Sequence, residues 1–480
     1  MAEPSEHPQS CPRCRVLERR IAELEAELAA RDVRIGKLEA RTPELEARVR
    51  QLQQMLLEAT RASKRQAAPF SRNQPKLKPK KPGRPVGHEP AHRPPPPEPV
   101  TELVEVPLNR CPCCGGPVED LQTHEQIVTD IPTVEPKTRK YITHSGYCRR
   151  CGKRVRSRHP EQTSTAGGAA AHQIGPQALA LAADLKHRLG LSYRKITDFF
   201  EAHFGLTLCP GALARAGQRL ARFSQGTYDA LITILRASGY VCGDETGWRI
   251  KARSAWLWVF TNEYVTVYVI RQDRSQAVIR EVLGPYFRGV LSSDCCLAYD
   301  PIETDKQKCL GHILNDLSEL QTIKGRGAVR FSYDAAQILR KSIELKRRRE
   351  TMSAHGYATA CGRIERRMDR LLRRNYRDPD NRRLAARMIK HRDHLFTFLY
   401  EDAVEPTNNA AERALRPAVI ARKLSAGNRS PTGAQTHSVL ASLAQTARQN
   451  GQDFVRAARA ILTHRDPTYI APVLPILTSH

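Results

Sequence analysis

The sequence predicts a multidomain α+β protein. Three observations predict it: a leucine-spaced helix near the N-terminus, two Cys-x2-Cys pairs in a short polar segment, and a switch from helical to strand periodicity after Gly239. The chain has 480 residues, more than one core usually holds, so several folded units are expected. With 77 Lys and Arg against 50 Asp and Glu, the net charge is +27, which points to a polyanionic partner and first of all to nucleic acid. Hydrophobic residues make up 40%, enough for real cores, which excludes a chain disordered throughout. No apolar run approaches the roughly 18 residues of a membrane helix, and Met1 to Ser10 is polar. A cytoplasmic protein is expected, with its 13 cysteines reduced and used for metal or packing.

Residues 15–60 predict a coiled coil. Leu17, Ile21, Leu24, Leu28, Ile35, Leu38, Leu45, Val49, Leu52 and Leu56 recur by threes and fours, the a/d seam of a helix that self-associates. Arg31 and Thr42 interrupt the seam, and Pro43 is expected to kink or restart the helix. The alternative is a helical hairpin folding on itself at Pro43. Residues 61–100 follow as a Pro-rich basic linker, with eleven prolines between Pro69 and Pro99 and ten Lys/Arg between Arg61 and Arg93. Within it, Lys81-Pro-Gly-Arg-Pro85 has the composition of a segment that lies along a phosphate backbone or in a minor groove.

Residues 101–160 predict a small zinc-binding module. Cys111-Pro-Cys-Cys114-Gly and Cys148-Arg-Arg-Cys151-Gly are each C-x2-C followed by Gly, the pattern of a tight turn that aims two thiolates at one ion. Together Cys111, Cys114, Cys148 and Cys151 make a four-thiolate set for one structural Zn2+, with Cys113 as a substitute ligand. Thirty-three residues separate the pairs, and alternating stretches such as Gln126-Ile-Val-Thr-Asp-Ile131 suit short strands. Cys11 and Cys14 form a further, lone pair, which is not expected to share a zinc ion across a dimer. Residues 172–236 read as helices, and the order helix, Gly-containing turn, helix gives a helix-turn-helix-like region, with an ordinary helical connector as the other reading.

Residues 237–450 predict the chemical domain. Tyr240-Val-Cys-Gly-Asp244, Trp256 to Phe260 and Val265 to Ile270 read as three successive strands; Ser275 to Leu283 reads as a helix, and Gly289 to Asp294 as a strand ending in an acid. That order is the order of an RNase H-like mixed sheet, in which the first and fourth strands are neighbours and Asp244 and Asp294 meet. Two such carboxylates can bridge two Mg2+ ions about 4 Å apart. Glu412, in Asn408-Asn-Ala-Ala-Glu412, is placed to complete the set, although Asn409 and Glu412 also have capping-box spacing. Residues 315–402 separate Asp294 from Glu412 and read as helical. From Arg340 to Arg392 there are 18 Lys/Arg against six Asp/Glu, with an apolar stripe of Ile364, Met368, Leu371 and Leu372. Those charges suit DNA phosphates, and a solvated helical face is the alternative. Residues 451–480 are expected to be a C-terminal tail.

On these residues the chain resembles DDE transposases of the IS-sixty-six group of bacterial insertion sequences, over nearly its whole length. The landmarks occur in order: the leucine-rich helix, Pro-Gly-Arg-Pro-Val-Gly-His88, the paired knuckles, Leu191-Ser-Tyr-Arg-Lys195, Gly243-Asp-Glu-Thr-Gly-Trp248, Trp256-Leu-Trp-Val-Phe260, Leu291-Ser-Ser-Asp294, Gln307-Lys-Cys-Leu-Gly-His312 and Pro406-Thr-Asn-Asn-Ala-Ala-Glu-Arg-Ala-Leu-Arg-Pro417. The resemblance implies Asp244, Asp294 and Glu412 as catalytic and metal-holding acids, two Mg2+ (or Mn2+) ions per site, and double-stranded DNA as substrate, both the element ends and the target. It implies that the helical residues 315–402 are an insertion between the last two acids. It implies accessory proteins from the same element as partners, and a bacterial, nucleoid-associated setting. Cys309 and His312 match a Cys-x2-His element and are expected to support the active site. Cys295-Cys296 stands after Asp294 where a small residue such as Gly is expected. Two other functions fit the same features: a zinc-containing DNA-binding protein without catalysis, and an RNase H-like nuclease that cuts without joining.

Overall fold

The computed structural model describes residues 12–64, 100–132, 134–164, 166, 172–325 and 327–473. The chain forms two compact units, Met1–His92 and Arg93–His480.

The first unit is helix α1, Pro12–Lys64. It is continuous through Pro43, so the helix does not restart there. Proline removes one backbone donor, and the Thr42 hydroxyl bonds back to the Leu38 carbonyl at 2.9 Å in the same turn. The seam residues Ile21, Leu24, Leu28, Ile35, Leu38, Leu45, Val49 and Leu52 are all exposed in the single chain. Cys11, the side chains of Cys14, Leu17 and Leu56, and the linker segment with Lys81 to Pro85 lie outside the described residues.

The second unit opens with a hairpin of β1 (Ser145–Cys148) and β2 (Lys153–Arg156), whose tip is the second knuckle. Gln126 to Ile131, expected as a strand, is irregular and exposed; among the described residues no strand pairs with it, and an unpaired ribbon has no ladder to hold it. Four helices follow: α2 (Pro176–His187), α3 (Tyr193–Phe204), α4 (Pro210–Phe223) and α5 (Gln225–Ala237). Ser192 caps α3 by accepting from the Lys195 N–H, and Gly205 ends it in the left-handed region at φ 62°.

The sheet is built from β3 (Tyr240–Ile250), β4 (Arg253–Thr261), β5 (Thr266–Arg271), β6 (Val290–Ser293) and β7 (Lys306–Lys308), with α6 (Gln276–Leu283) before β6. Its order is β5-β4-β3-β6-β7. The first three strands are antiparallel and the last two pair in parallel, so the first and fourth strands are neighbours as the sequence order predicts. Strand β3 is longer than expected, so Asp244 lies within it and not at its end.

The insertion contributes α7 (Leu310–Ile323), α8 (Arg330–Arg347), α9 (Ala354–Leu372) and α10 (Pro379–Lys390), and the chain finishes with α11 (Asn409–Ser425), α12 (Pro431–Gln449) and α13 (Phe454–His464). Alternation along β3 sorts the packing. Cys242, Trp248 and Ile250 share a core with Ala411, Ala414, Leu415 and Ala418 of α11 and Ala434 and Ala441 of α12. Val241 faces the other way, into a core shared by Trp258, Phe260 and the helices α2 to α5. The helix-turn-helix-like region therefore packs on the sheet's core. The expected tail does the same: Phe454, Ala458 and Ile461 of α13 are buried beside α2. Helices α7 to α10 and the segment up to Val404 form a second core, with Leu310, Phe331, Met388 and Phe398, which Val290 of β6 joins.

Candidate active site

Strands β3 and β6 run parallel with a constant offset: Tyr240 pairs with Val290, Val241 with Leu291 and Cys242 with Ser292. The same offset carried two residues further sets Asp244 level with Asp294, which follows β6 directly. Asp294 is fixed by the Cys296 N–H, which donates to its Oδ1 at 2.8 Å, and Asp244 likewise accepts from the Glu245 N–H at 2.8 Å. Burial pushes the Asp244 carboxyl up to about 7; the charges of Glu245 and Asp294 add to the rise, while the Glu245 N–H and His312 oppose it. Among the described residues neither Asp244 nor Asp294 forms an ion pair. Two neighbouring carboxylates without a direct ion pair, one of them resisting ionisation, fit a hard divalent cation.

Glu412 arrives from far along the chain through a chain of bonds. Cys309 N–H donates to the Ser293 carbonyl at 2.8 Å, Leu310 N–H to the Pro406 carbonyl at 2.9 Å, and Asn408 Nδ2 to the Gly243 carbonyl at 2.8 Å. The head of α11 is thereby fastened beside Asp244. The capping box is not formed: the cap residue is Asn408, with no side-chain cap bond, and Glu412 instead lies with its Oε1 3.8 Å from His312 Nδ1. A hydrogen bond with Cys309 raises His312 to about 9 against its burial, with help from the charges of Cys309, Glu412 and Asp294. His312 is thus in electrostatic reach of Asp244, Asp294 and Glu412; the register of β3 and β6 and the head of α11 bring the acids to one region of the sheet, but the three are not a ligand group within 4.8 Å of one another.

Sequence reasoning missed the residues that hold this arrangement. Glu245 points to the opposite face from Asp244, with its side chain only 1% exposed. It accepts from Arg274 at 2.9 Å and from the Tyr299 hydroxyl at 2.9 Å, and Arg274 stacks on Trp256 at 4.1 Å. Lys308 is fully buried behind Asp294, donating to its carbonyl at 3.0 Å and reaching Asp300 at 3.4 Å. Asp300 also pairs with Lys390 at 2.6 Å, the last residue of α10. Strand alternation across Asp244-Glu245 was the available signal for Glu245; nothing local marks Lys308 beyond its place in Gln307 to His312.

The knuckles are formed as turns. Gly115 N–H bonds the Cys111 carbonyl at 2.8 Å and Gly152 N–H the Cys148 carbonyl at 2.9 Å, with Gly115 and Gly152 at φ 74° and 66°. Backbone N–H groups aimed at the sulfur lower Cys111 (from Cys113 and Cys114) and Cys148 (from Cys151). Each pair is poised for metal, but Cys111, Cys114, Cys148 and Cys151 do not come together as one set: the described ligand groups within 4.8 Å of one another are Cys309, His312 and Glu412, and Glu245, Asp294 and Cys296. Arg363, Arg366 and Arg370 on α9, with Arg373 at its C-cap, are exposed at helical spacing and form one basic stripe.

The sequence model of the transposase IS66 family matches residues 171–436. The chain belongs to this transposase family. The match spans α2 to α11 and the start of α12, so it includes Asp244, Asp294 and Glu412. The chain is also similar to a protein of Sinorhizobium fredii (strain NBRC 101917 / NGR234) named uncharacterized protein y4jD, at 24% identity over 384 residues that cover 73% of each chain. As an IS66-family chain it is a DNA-acting protein with divalent-metal chemistry, and among the described residues no helix is long and apolar enough to cross a membrane.

Proposed function

We propose that this IS66-family chain is a DDE transposase that cuts DNA at the ends of its own element and joins the freed ends to a target. The observation that carries the reading is the parallel register of β3 and β6, which levels Asp244 with Asp294, while the bonded head of α11 brings Glu412 to the same end. The strand order supports an RNase H-like catalytic domain over 237–450 with the insertion 315–402. Asp244 and Asp294 would hold two Mg2+ or Mn2+ ions, with Glu412 completing the second position. When bound, the ions would activate the attacking oxygen and stabilise the leaving one.

In the first step water attacks the phosphorus at the element end and the 3′-oxygen leaves as a hydroxyl. In the second, that 3′-hydroxyl attacks a target phosphodiester, and the target's own 3′-oxygen leaves. Both are in-line displacements, so no side chain forms a covalent intermediate. The chain's contribution is to hold carboxylates and phosphates in line. The Arg363-to-Arg373 stripe supplies phosphate contacts, and α3 and α4, with Arg215 and Arg222 exposed on α4, suit recognition of end sequences. The exposed leucine seam of α1 supports self-association of protomers around paired ends. The knuckle turns support one structural Zn2+ through Cys111, Cys114, Cys148 and Cys151, which requires the two halves to close on one another. Work on chromosomal DNA places the protein in the bacterial cytoplasm, with accessory proteins of the element as further partners.

The test uses the gene's flanking DNA, purified protein and Mg2+ or Mn2+, with Asp294→Asn in parallel. Cleavage and joining by wild type alone are expected. Equal cleavage by both proteins would sink the assignment of Asp294. Binding without cleavage by either would favour a DNA-binding protein, and cleavage without joining a nuclease.

A further inference from the structure

The first turn of α7 carries donors that a carboxylate pair does not need. Cys309 stands immediately before the helix and His312 lies within its first turn, so the two side chains can meet on one face. The Cys309 sulfur, a ring nitrogen of His312 and a carboxylate oxygen of Glu412 lie within 4.8 Å of one another. The 3.8 Å between His312 Nδ1 and Glu412 Oε1 is too long for a hydrogen bond. Nitrogen and oxygen ligands of one tetrahedral ion stand about 3.3–3.6 Å apart, a few tenths of an ångström inside that spacing. The sulfur is buried, and the Asn408 N–H donates to it at 3.2 Å, the kind of outer bond that orients a metal ligand.

We propose that Cys309, His312 and Glu412 form a site for a zinc-class ion beside Asp244 and Asp294. Sulfur and imidazole donors select a borderline-soft ion over Mg2+, and three protein ligands leave the fourth position open. The proposal rests on the transposase reading in one respect only: Glu412 is shared, so a zinc ion held here keeps that carboxylate turned toward α7 and opposes its use with Mg2+. A transition metal then acts as a brake on cleavage.

The test measures bound metal, not cleavage. Full-length wild type, Cys309→Ser and His312→Gln are dialysed against Zn2+ in excess Mg2+, and zinc per chain is read by atomic emission. Each variant is expected to hold one equivalent less than wild type, while any zinc on the knuckles is common to all three. His312 is exposed, so His312→Gln is expected to melt like wild type and decides the matter if Cys309→Ser fails to fold. Equal zinc in wild type and folded His312→Gln overturns the site. A protein that never cleaves DNA would still give this result, which separates failure here from failure of the transposase reading.

Discussion

Asn408 donates its side-chain amide to the carbonyl of Gly243 at 2.8 Å, joining the head of α11 to the residue before Asp244. Through this bond Glu412 and Asp244 share a frame although they sit on different elements. Replacing Asn408 with Ala should lower end cleavage by about 10–100-fold, the usual cost of losing an outer partner of a metal ligand. A titration of single-turnover cleavage against Mg2+ checks it, and an unchanged Mg2+ dependence would refute the positioning role.

Asp244 and Glu245 are adjacent and chemically alike, yet they should respond in opposite ways. Burial first, then the charges of Glu245 and Asp294, raises Asp244 to about 7 from 3.8. A carboxyl raised in the fold contributes stability that is full below about pH 4 and is lost as pH rises through about 7. In metal-free buffer at pH 8, Asp244→Asn should therefore melt higher than wild type while losing cleavage. Melting curves at pH 5.5 and 8 test this, and a lower Tm for the variant at pH 8 would contradict it.

Glu245 is already neutralised by Arg274 and held by Tyr299. Arg274→Met leaves a buried carboxylate without its cation, at an expected cost of about 1–3 kcal/mol. Tyr299→Phe removes only one hydrogen bond and should cost about 1 kcal/mol. Urea unfolding of the two variants gives the order; equal costs would show that the guanidinium carries no special weight.

His187 and His437 face each other with their Nδ1 atoms 3.4 Å apart, and Trp248 stacks on His437 at 5.4 Å. Burial, with Lys186 nearby, lowers His437 to about 4, and burial followed by the charge of His437 lowers His187 well below its ordinary value. Both rings are neutral in the fold, so their contribution to stability is full above about pH 6.5 and is lost as pH falls toward about 4. Wild type should lose Tm between pH 7 and 5, and His437→Phe should lose less. An identical slope in the two proteins would rule the pair out as the cause.

Gly226 lies against the backbone that leaves α13: a Cβ there would come within 2.6 Å of the Pro467 carbonyl. Gly226→Ala should destabilise by about 1–3 kcal/mol, the typical cost of overpacking. A urea midpoint equal to wild type would show that this contact yields without strain.

Periodicity carried much of the architecture. The apolar run Trp256 to Phe260 and the apolar spacing of Ser275 to Leu283 locate β4 and α6 to within a few residues, because β4 buries both its faces and α6 buries one. Asp244 and Asp294 were readable as neighbours from strand order alone. Features set by distant partners were not readable. Gln126 to Ile131 alternates like a strand but has no strand to pair with. Glu412 has the spacing of a capping box, yet it is drawn to His312. Residues 451–480 read as a tail because nothing local shows that α13 covers α2. Lys308 looks like a surface residue until Asp300 and the Asp294 carbonyl close around it.

The insertion leaves and re-enters the sheet at one point, for Leu310 N–H meets the Pro406 carbonyl at 2.9 Å, and its helices bury their own apolar residues. A segment whose interior is mostly its own, with Val290 of the sheet at its border, and whose ends touch behaves as a cassette. The loop it closes is clamped outside its own length, so lengthening or trimming its far helices adds little closure entropy. Exchange of this cassette would alter the reach of its arginines along DNA while the spacing from Asp294 to Glu412 stays fixed by the clamp.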